Sequence, residues 1–234
     1  MSLVTRSLLV APAGLVAIPV RTPLVCPGDD LVATVARAID GIARAGDLVA
    51  VAESAVAIAQ GELLSAECVR PSWLAYAVAR RVHPNATMSQ PESLQLVIDR
   101  VGAWKVIYAM LLQALARLTG RRGAFYEVLG EAIAAFDGYT GTMPPYDRAI
   151  VFAPREPDAF AESVREQTGI ACAVVDANDL GRAKVLGASR GVSAQGVEEA
   201  LLDNPHGNSD EQTPVVVLKW RGDGGNPLFA GAAA

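Results

Sequence analysis

The fold of this chain is decided by the stretch Ala173-Val174-Val175-Asp176-Ala177-Asn178-Asp179, in which an apolar, β-branched run ends in acids and an amide. A second stretch repeats the pattern in reverse, because Gly207-Asn208-Ser209-Asp210-Glu211-Gln212-Thr213-Pro214 leads into Val215-Val216-Val217-Leu218. Short apolar runs bounded by turn residues predict buried strands. Carboxylates beside such strands place hard oxygen ligands, which Mg²⁺ and Mn²⁺ prefer, at a rigid sheet edge. The alternative is that Asp, Asn and Gly end the strands only as turn residues.

The composition is that of a folded protein. Of the 234 residues, 51% are hydrophobic and 19% are charged, and the net charge is −5. This length fits one large domain or two small intertwined ones. The negative net charge gives no electrostatic reason to expect nucleic-acid binding. The two histidines are too few for a zinc site built on several imidazoles, and three cysteines without a CxxC pattern indicate a reduced, cytoplasmic setting.

Two apolar segments could be mistaken for membrane signals. The first, at 8–20, is interrupted by Pro12 and Pro19. The second, at 101–118, carries Lys105, Gln113 and Arg117, and it is too short and too charged for a membrane span. We therefore expect no membrane partner, and we interpret residues 101–118 as a buried or dimer-facing helix. This interpretation predicts a homodimer.

The order of elements predicts an α+β fold, with mixed β-sheets, packed helices and a helical insert. Strand and helix patterns alternate at both ends of the chain, whereas helical periodicity is continuous over 93–118. We predict a single domain at 1–220, a helical insert at about 71–136 and a flexible Gly- and Ala-rich tail at 221–234. Residues 56–59 are a candidate short strand.

Taken in order, the motifs resemble the γ-glutamyl ligases that add glutamate to the precursor of the deazaflavin coenzyme F420. The similarity extends from about Val16 to Trp220. It is carried by five segments: the opening loop Arg21-Thr22-Pro23-Leu24-Val25-Cys26-Pro27-Gly28-Asp29-Asp30-Leu31, the stretch from Gly46-Asp47 to Gln60-Gly61, the central Phe136-Asp137-Gly138-Tyr139-Thr140, the stretch from Val175-Asp176 to Gly181-Arg182, and the closing segment 207–216.

The resemblance implies which residues bind the co-substrate and the metal. In that family the corresponding positions surround GTP and two divalent cations, Mg²⁺ or Mn²⁺, and the enzyme is a homodimer. The implied metal ligands are Asp137, Asp176 and Asn208. The implied nucleotide-binding positions are Thr22, Pro23, Leu24, Val25, Glu53, Ser54, Thr140, Asn208, Asp210 and Glu211.

Three departures from the family pattern affect this prediction. Ile58 stands at the family's lysine position, Ala177 stands at a Ser/Thr position, and Thr140 stands at the central asparagine position. The loss of the lysine predicts weak nucleotide affinity, because a cation for the phosphate oxygens is missing.

The predicted function is a nucleotide- and divalent-metal-dependent amide ligase, which joins a glutamate-like amino acid to a small-molecule carboxylate acceptor. Two alternatives stay open from the sequence alone. One is a non-catalytic dimeric scaffold or binding protein of the same fold, and the other is a metal-dependent hydrolase that uses the same carboxylates.

Overall fold

A computed structural model describes residues 14–82, 87–118, 120–121, 123–133, 136–137, 144–178, 181–207 and 211–231, with backbone only for residues 87, 131–132 and 136–137. The chain divides into two compact units. The sheet unit comprises residues 1–61 and 154–234, and the helical unit comprises residues 62–153. The single domain at 1–220 stays a prediction.

Strands and helices alternate in the sheet unit and are grouped in the helical unit. The strands are β1 Leu15–Val20, β2 Leu48–Ala52, β3 Leu63–Ser65, β4 Phe136–Asp137, β5 Ala149–Phe152, β6 Ala171–Asn178, β7 Arg182–Ala188 and β8 Val215–Trp220. The α-helices are α1 Leu31–Ile39, α2 Glu53–Ala59, α3 Trp73–Ala79, α4 Pro91–Val101, α5 Ala103–Leu118, α6 Ala124–Ile133, α7 Pro157–Thr168 and α8 Ala194–Ala200.

The sheet unit is built on a mixed five-stranded sheet in the order β1-β8-β2-β6-β7. Strand β2 is parallel to β6, whereas the pairs β1/β8, β2/β8 and β6/β7 are antiparallel. This arrangement confirms the predicted α+β class with a mixed sheet. The central strands are apolar at consecutive positions because both faces of the sheet are covered.

Helices pack on both faces of this sheet. On one face, Ala50, Val175 and Val216 form a core with Val197 of α8. Helix α7 packs against β6, β7 and α1 on the other face. Gly187 is required there, because a Cβ at this position would lie 2.5 Å from the backbone nitrogen of Asp158.

The C-terminal segment packs into the first of these cores. Leu228 is fully buried among the residues of α8, β2 and β8, and the backbone nitrogen of Ser193 donates to its carbonyl oxygen at 2.8 Å. Phe229 pairs with Val192 as an isolated bridge. The described residues 221–231 therefore differ from the flexible tail predicted for 221–234. The Gly and Ala content suggested fraying, but one buried leucine provides an anchor.

The helical unit combines a small antiparallel sheet, in the order β3-β5-β4, with helices α3 to α6. Its core is formed by residues such as Leu74, Leu94, Val106 and Leu129. Within the described parts of the chain, no single helix is long and apolar enough to cross a membrane, although α4 and α5 meet the length and composition criteria as a pair bent by 112°.

Two sequence predictions about elements were wrong. The periodic stretch 93–118 is two helices, because Gly102 ends α4 with a φ of 85°, a conformation that favours glycine. The candidate strand at 56–59 is part of α2, in which Ala55, Val56, Ala57 and Ile58 are all buried. A run of consecutive apolar residues does not by itself distinguish a buried strand from a buried helix.

Candidate functional site

The ends of four strands meet at one edge of the five-stranded sheet. In the register of the sheet, Val20 and Val51 both pair with Val215, and Ala52 pairs with Val175. Neighbouring strands lie about 4.8 Å apart. The residues that follow β1 and β2, the distal part of β6 and the segment before β8 are therefore side by side. We call this the carboxyl edge, and it comprises Thr22, Glu53, Asp176, Lys184 and residues 211–214.

The opening loop is fixed to the segment before β8. The backbone nitrogen of Thr22 donates to the carbonyl oxygen of Gln212 at 3.0 Å, and the Thr22 hydroxyl donates to the carbonyl oxygen of Pro23 at 2.9 Å. Thr22 is buried. In parallel, the backbone nitrogen of Ala52 donates to the carbonyl oxygen of Pro214 at 2.8 Å. Three chain segments that are distant in sequence are thus joined by backbone hydrogen bonds at this edge.

The rest of the opening loop borders a small recess. Pro23, Leu24 and Val25 line it together with Arg37, and its volume is about 350 Å³. Two acids of the loop have local structural roles. Asp30 caps α1 by accepting from the backbone nitrogen of Ala33 at 2.9 Å, and Asp29 accepts from the backbone nitrogen of Cys26 at 2.7 Å. Asp30 therefore serves as the N-cap of α1.

Asp176 lies inside a strand, so the prediction that it ends one was wrong. Strand β6 continues to Asn178 because β7 pairs with it, and Asp176 is directly opposite Lys184. Asp176 is exposed, but partial burial of its carboxyl group raises the pKa of Asp176, and the positive charge of Lys184 opposes that rise. Sequence analysis missed Lys184, although the alternation in Arg182-Ala183-Lys184-Val185 is a strand signal.

Glu53 and Ser54 begin α2 directly after β2. An acid in the first helical turn interacts favourably with the helix dipole, which is one reason for a helix to begin here. Ile58 lies further along α2 and is only 8% exposed. The position at which the resembled family carries lysine therefore contributes to the core of this chain.

Contacts between His206 and Thr213 join the residue before the closing segment to its C-terminal part. The Thr213 hydroxyl donates to the carbonyl oxygen of His206 at 2.5 Å, and His206 Nδ1 lies 3.2 Å from the carbonyl oxygen of Thr213. Burial lowers the pKa of His206 to about 4, so its imidazole is neutral at pH 7. The Glu211 carboxyl lies against Gly207, where an added Cβ would approach it to 2.8 Å. Gly207 and Glu211 are therefore in contact with each other.

Several predicted site residues lie outside the described part of the chain. These are Thr140, Asn208 and Asp210, and for Asp137 only the backbone is described, in β4 opposite Val151. Among the described residues, no cluster of three or more His, Cys, Asp or Glu side chains could hold a metal ion. The metal set Asp137, Asp176 and Asn208 stays a prediction, as do the nucleotide-binding roles. Of the predicted residues, the structure brings Thr22, Glu53, Asp176 and Glu211 to one sheet edge.

Comparison with known proteins decides the family. The sequence model of F420-0:gamma-glutamyl ligase matches residues 19–200, which is well over half of the chain. The chain belongs to the F420-0:gamma-glutamyl ligase family. No curated protein matches the chain. The resemblance drawn from the ordered motifs is thereby confirmed, and the match indicates a ligase of this type. It covers Thr22, Glu53 and Asp176, and it ends before the closing segment at 207–216.

Proposed function

We propose that this chain is a nucleotide- and divalent-metal-dependent amide ligase, which joins a glutamate-like amino acid to a small-molecule carboxylate acceptor. The carboxyl edge is the observation that carries the proposal. There the opening loop at Thr22, the start of α2 at Glu53 and the carboxylate of Asp176 lie at the same end of one sheet, after β1, after β2 and in β6. A ligase needs nucleotide, metal and acceptor groups together, and a rigid sheet edge supplies such a platform.

The chemistry assigns a role to each part of this edge. The acceptor carboxylate takes a phosphoryl group from GTP, and an amine then displaces phosphate from the acyl phosphate. The opening loop from Pro23 to Val25 would border the nucleotide. Lys184 is the cation opposite Asp176, and it can offset negative charge at an edge where Ile58 offers none.

Of the predicted metal ligands, only Asp176 has a described side chain, and its carboxylate is a ligand type that hard cations prefer. Asp176 offers a carboxylate, and the burial that raises its pKa favours a cation partner for the ionised form. Asp176, with Asp137 and Asn208, would hold Mg²⁺ or Mn²⁺. When bound, the metal would neutralise phosphate charge during transfer. The positive charge of Lys184 competes with a metal at Asp176, which again points to modest affinity.

Phosphate release from GTP is the direct test. Purified protein is given GTP and Mn²⁺, with F420-0 as acceptor and L-glutamate as amine. We expect release to require both acceptor and glutamate, and the acceptor to gain one glutamyl residue by mass spectrometry. Asp176→Asn should abolish the reaction, whereas Asp203→Asn, at a separate exposed acid, should not. Acceptor-independent phosphate release would refute the proposal and favour the hydrolase.

One observation favours a non-catalytic alternative. Ile58 is buried where the family carries lysine, so the chain could keep the fold and lose the reaction. Isothermal titration with GTP, ATP and Mn²⁺ separates the alternatives. Absence of binding by all three would favour the dimeric scaffold. Metal binding with nucleotide-independent hydrolysis would favour the hydrolase.

We also propose that the protein is a homodimer in the cytoplasm. On α5, the residues Trp104, Tyr108, Leu111, Leu115 and Leu118 are exposed, and their spacing of four and three residues forms one apolar stripe. Trp104 is 83% and Leu118 is 84% exposed. Light scattering should give a dimer mass at micromolar concentration, and Leu111→Asp with Leu115→Asp should give a monomer. All three cysteines are free thiols, which suits a reducing compartment.

A further inference from the structure

The helical unit contains a second recess, formed by α3, α5, the turn after α5 and the start of α6. Its volume is about 750 Å³, within the range of small-molecule sites. Val78, Met110 and Phe125 give it an apolar wall, and these residues also belong to, or pack against, the core of the unit. Tyr126 contacts Phe125 edge to face, with the ring centroids 5.5 Å apart. The wall is therefore part of a fixed core.

Three arginines line the same recess, and no acidic side chain is among its described lining residues. Arg81 donates to the carbonyl oxygen of Ala77 at 2.5 Å. Arg121 is paired with the exposed Glu127 at 3.1 Å. The carbonyl oxygen of Arg117 accepts from the backbone nitrogen of Gly120, but among the described residues its guanidinium has no hydrogen-bond or ion-pair partner. The recess thus offers one unengaged guanidinium beside two others whose orientation is held.

We infer that this recess binds a small amphiphile, with an anionic phosphate or carboxylate head and an apolar body. Guanidinium groups pair bidentately with such heads, and a flat apolar body suits the wall formed by Val78, Met110 and Phe125. Both features of the recess, the arginines and the apolar wall, are needed to select this class of ligand. An arginine cluster alone would suit any anion, and an apolar wall alone would suit any hydrophobe. Because the recess lies wholly within residues 62–153, the inference does not depend on the ligase proposal.

Isothermal titration with dodecyl phosphate, below its micelle concentration, tests the inference on the full chain. We expect binding that inorganic phosphate and dodecyl maltoside, which offer the head and the body separately, do not reproduce. Arg117→Gln should weaken it by about 10- to 100-fold, the usual effect of losing a charge-assisted hydrogen bond. Ala114→Trp, which fills the recess, should abolish it. Thermal unfolding of both variants confirms that they fold.

The matched control is Lys105→Gln, which removes one positive charge from the exposed surface of the same helix, outside the recess. Equal weakening by Lys105→Gln and Arg117→Gln would overturn the inference, because binding would then reflect general charge. Equal affinity for inorganic phosphate would also overturn it. Sedimentation with vesicles containing phosphatidylglycerol identifies the source of the ligand. Arg117-dependent sedimentation assigns a lipid headgroup, and binding of the monomeric amphiphile alone assigns a soluble ligand.

Discussion

His206 makes the sheet unit sensitive to mild acid. Its imidazole is buried, its Nδ1 faces the carbonyl oxygen of Thr213, and Nε2 has no hydrogen-bond partner among the described residues. Burial lowers the folded-state pKa to about 4, against about 6.5 for an unfolded histidine. The unfolded state therefore binds more protons between these values. The stability that neutral His206 preserves is fully present above about pH 6.5 and is lost progressively as the pH falls towards 4.

The expected size of this effect follows from the two pKa values. Between pH 7 and pH 5 the free energy of unfolding falls by about 2 kcal/mol through this group alone. We propose urea denaturation at pH 7, 6 and 5 for the native protein and for His206→Gln. The variant loses stability at every pH, but it should lack this part of the pH dependence. Comparing slopes instead of absolute stabilities removes the constant cost of the substitution.

The matched control is His83→Gln, which removes the chain's other imidazole. Whatever part of the slope this variant removes belongs to His83, and the remainder is compared with the part that His206→Gln removes. If His206→Gln and the native protein lose stability in parallel between pH 7 and pH 5, His206 is not held neutral by burial, and the reasoning is refuted.

Three further predictions concern the sheet unit. Asp176→Asn should raise the free energy of unfolding of the metal-free protein at pH 7 but not at pH 3. The pKa of Asp176 is raised in the folded state, so the ionised carboxylate destabilises the fold at pH values above the pKa of a free aspartate. A variant that is less stable than the native protein at pH 7 would contradict this. Lys219→Met should cost about 1 to 3 kcal/mol in urea denaturation, since Lys219 pairs with Asp47 at 3.2 Å and also donates to the carbonyl oxygen of Ile42, and adding Asp47→Asn should restore only part of it. Gly196→Ala should cost about 1 to 3 kcal/mol and open the C-terminal segment to proteolysis, because the new Cβ would lie 2.0 Å from the Pro227 carbonyl oxygen. Gly130→Ala, where nothing lies within 4 Å, should instead be neutral or stabilising.

The parts of the fold that sequence predicted are those with a strong local signal. The apolar runs at β2, β6 and β8 are buried on both faces, so their composition alone identified them as strands. Strand β7 was missed because its exposed Arg182 and Lys184 interrupt the apolar pattern. The bend at Gly102 was missed because helical periodicity continues on both sides of one glycine.

The candidate site was predictable only where it follows strand ends. Thr22 and Glu53 follow closely after the apolar runs of β1 and β2, so their meeting at one edge follows from the order of the sheet. Lys184 could not be placed there, since its position depends on the hairpin between β6 and β7. The recess in the helical unit was missed for a related reason. In the sequence, Arg121 stands in a Gly- and Arg-rich break between two helical patterns, and only the packing of α3, α5 and α6 shows that it shares a recess with Arg81 and Arg117.

The position of β8 has a consequence for how the chain is made. It lies between β1 and β2, which share no ladder with each other, yet it is the last strand in the sequence. Until β8 has been synthesised, β1 and β2 therefore lack the strand that pairs with both of them. The five-stranded sheet can form completely only after residues 215–220 have left the ribosome, because β8 must then pair with β1 on one side and β2 on the other. Such long-range pairing is slow, and until it occurs the edges of β1 and β2 stay open to chaperones or to aggregation.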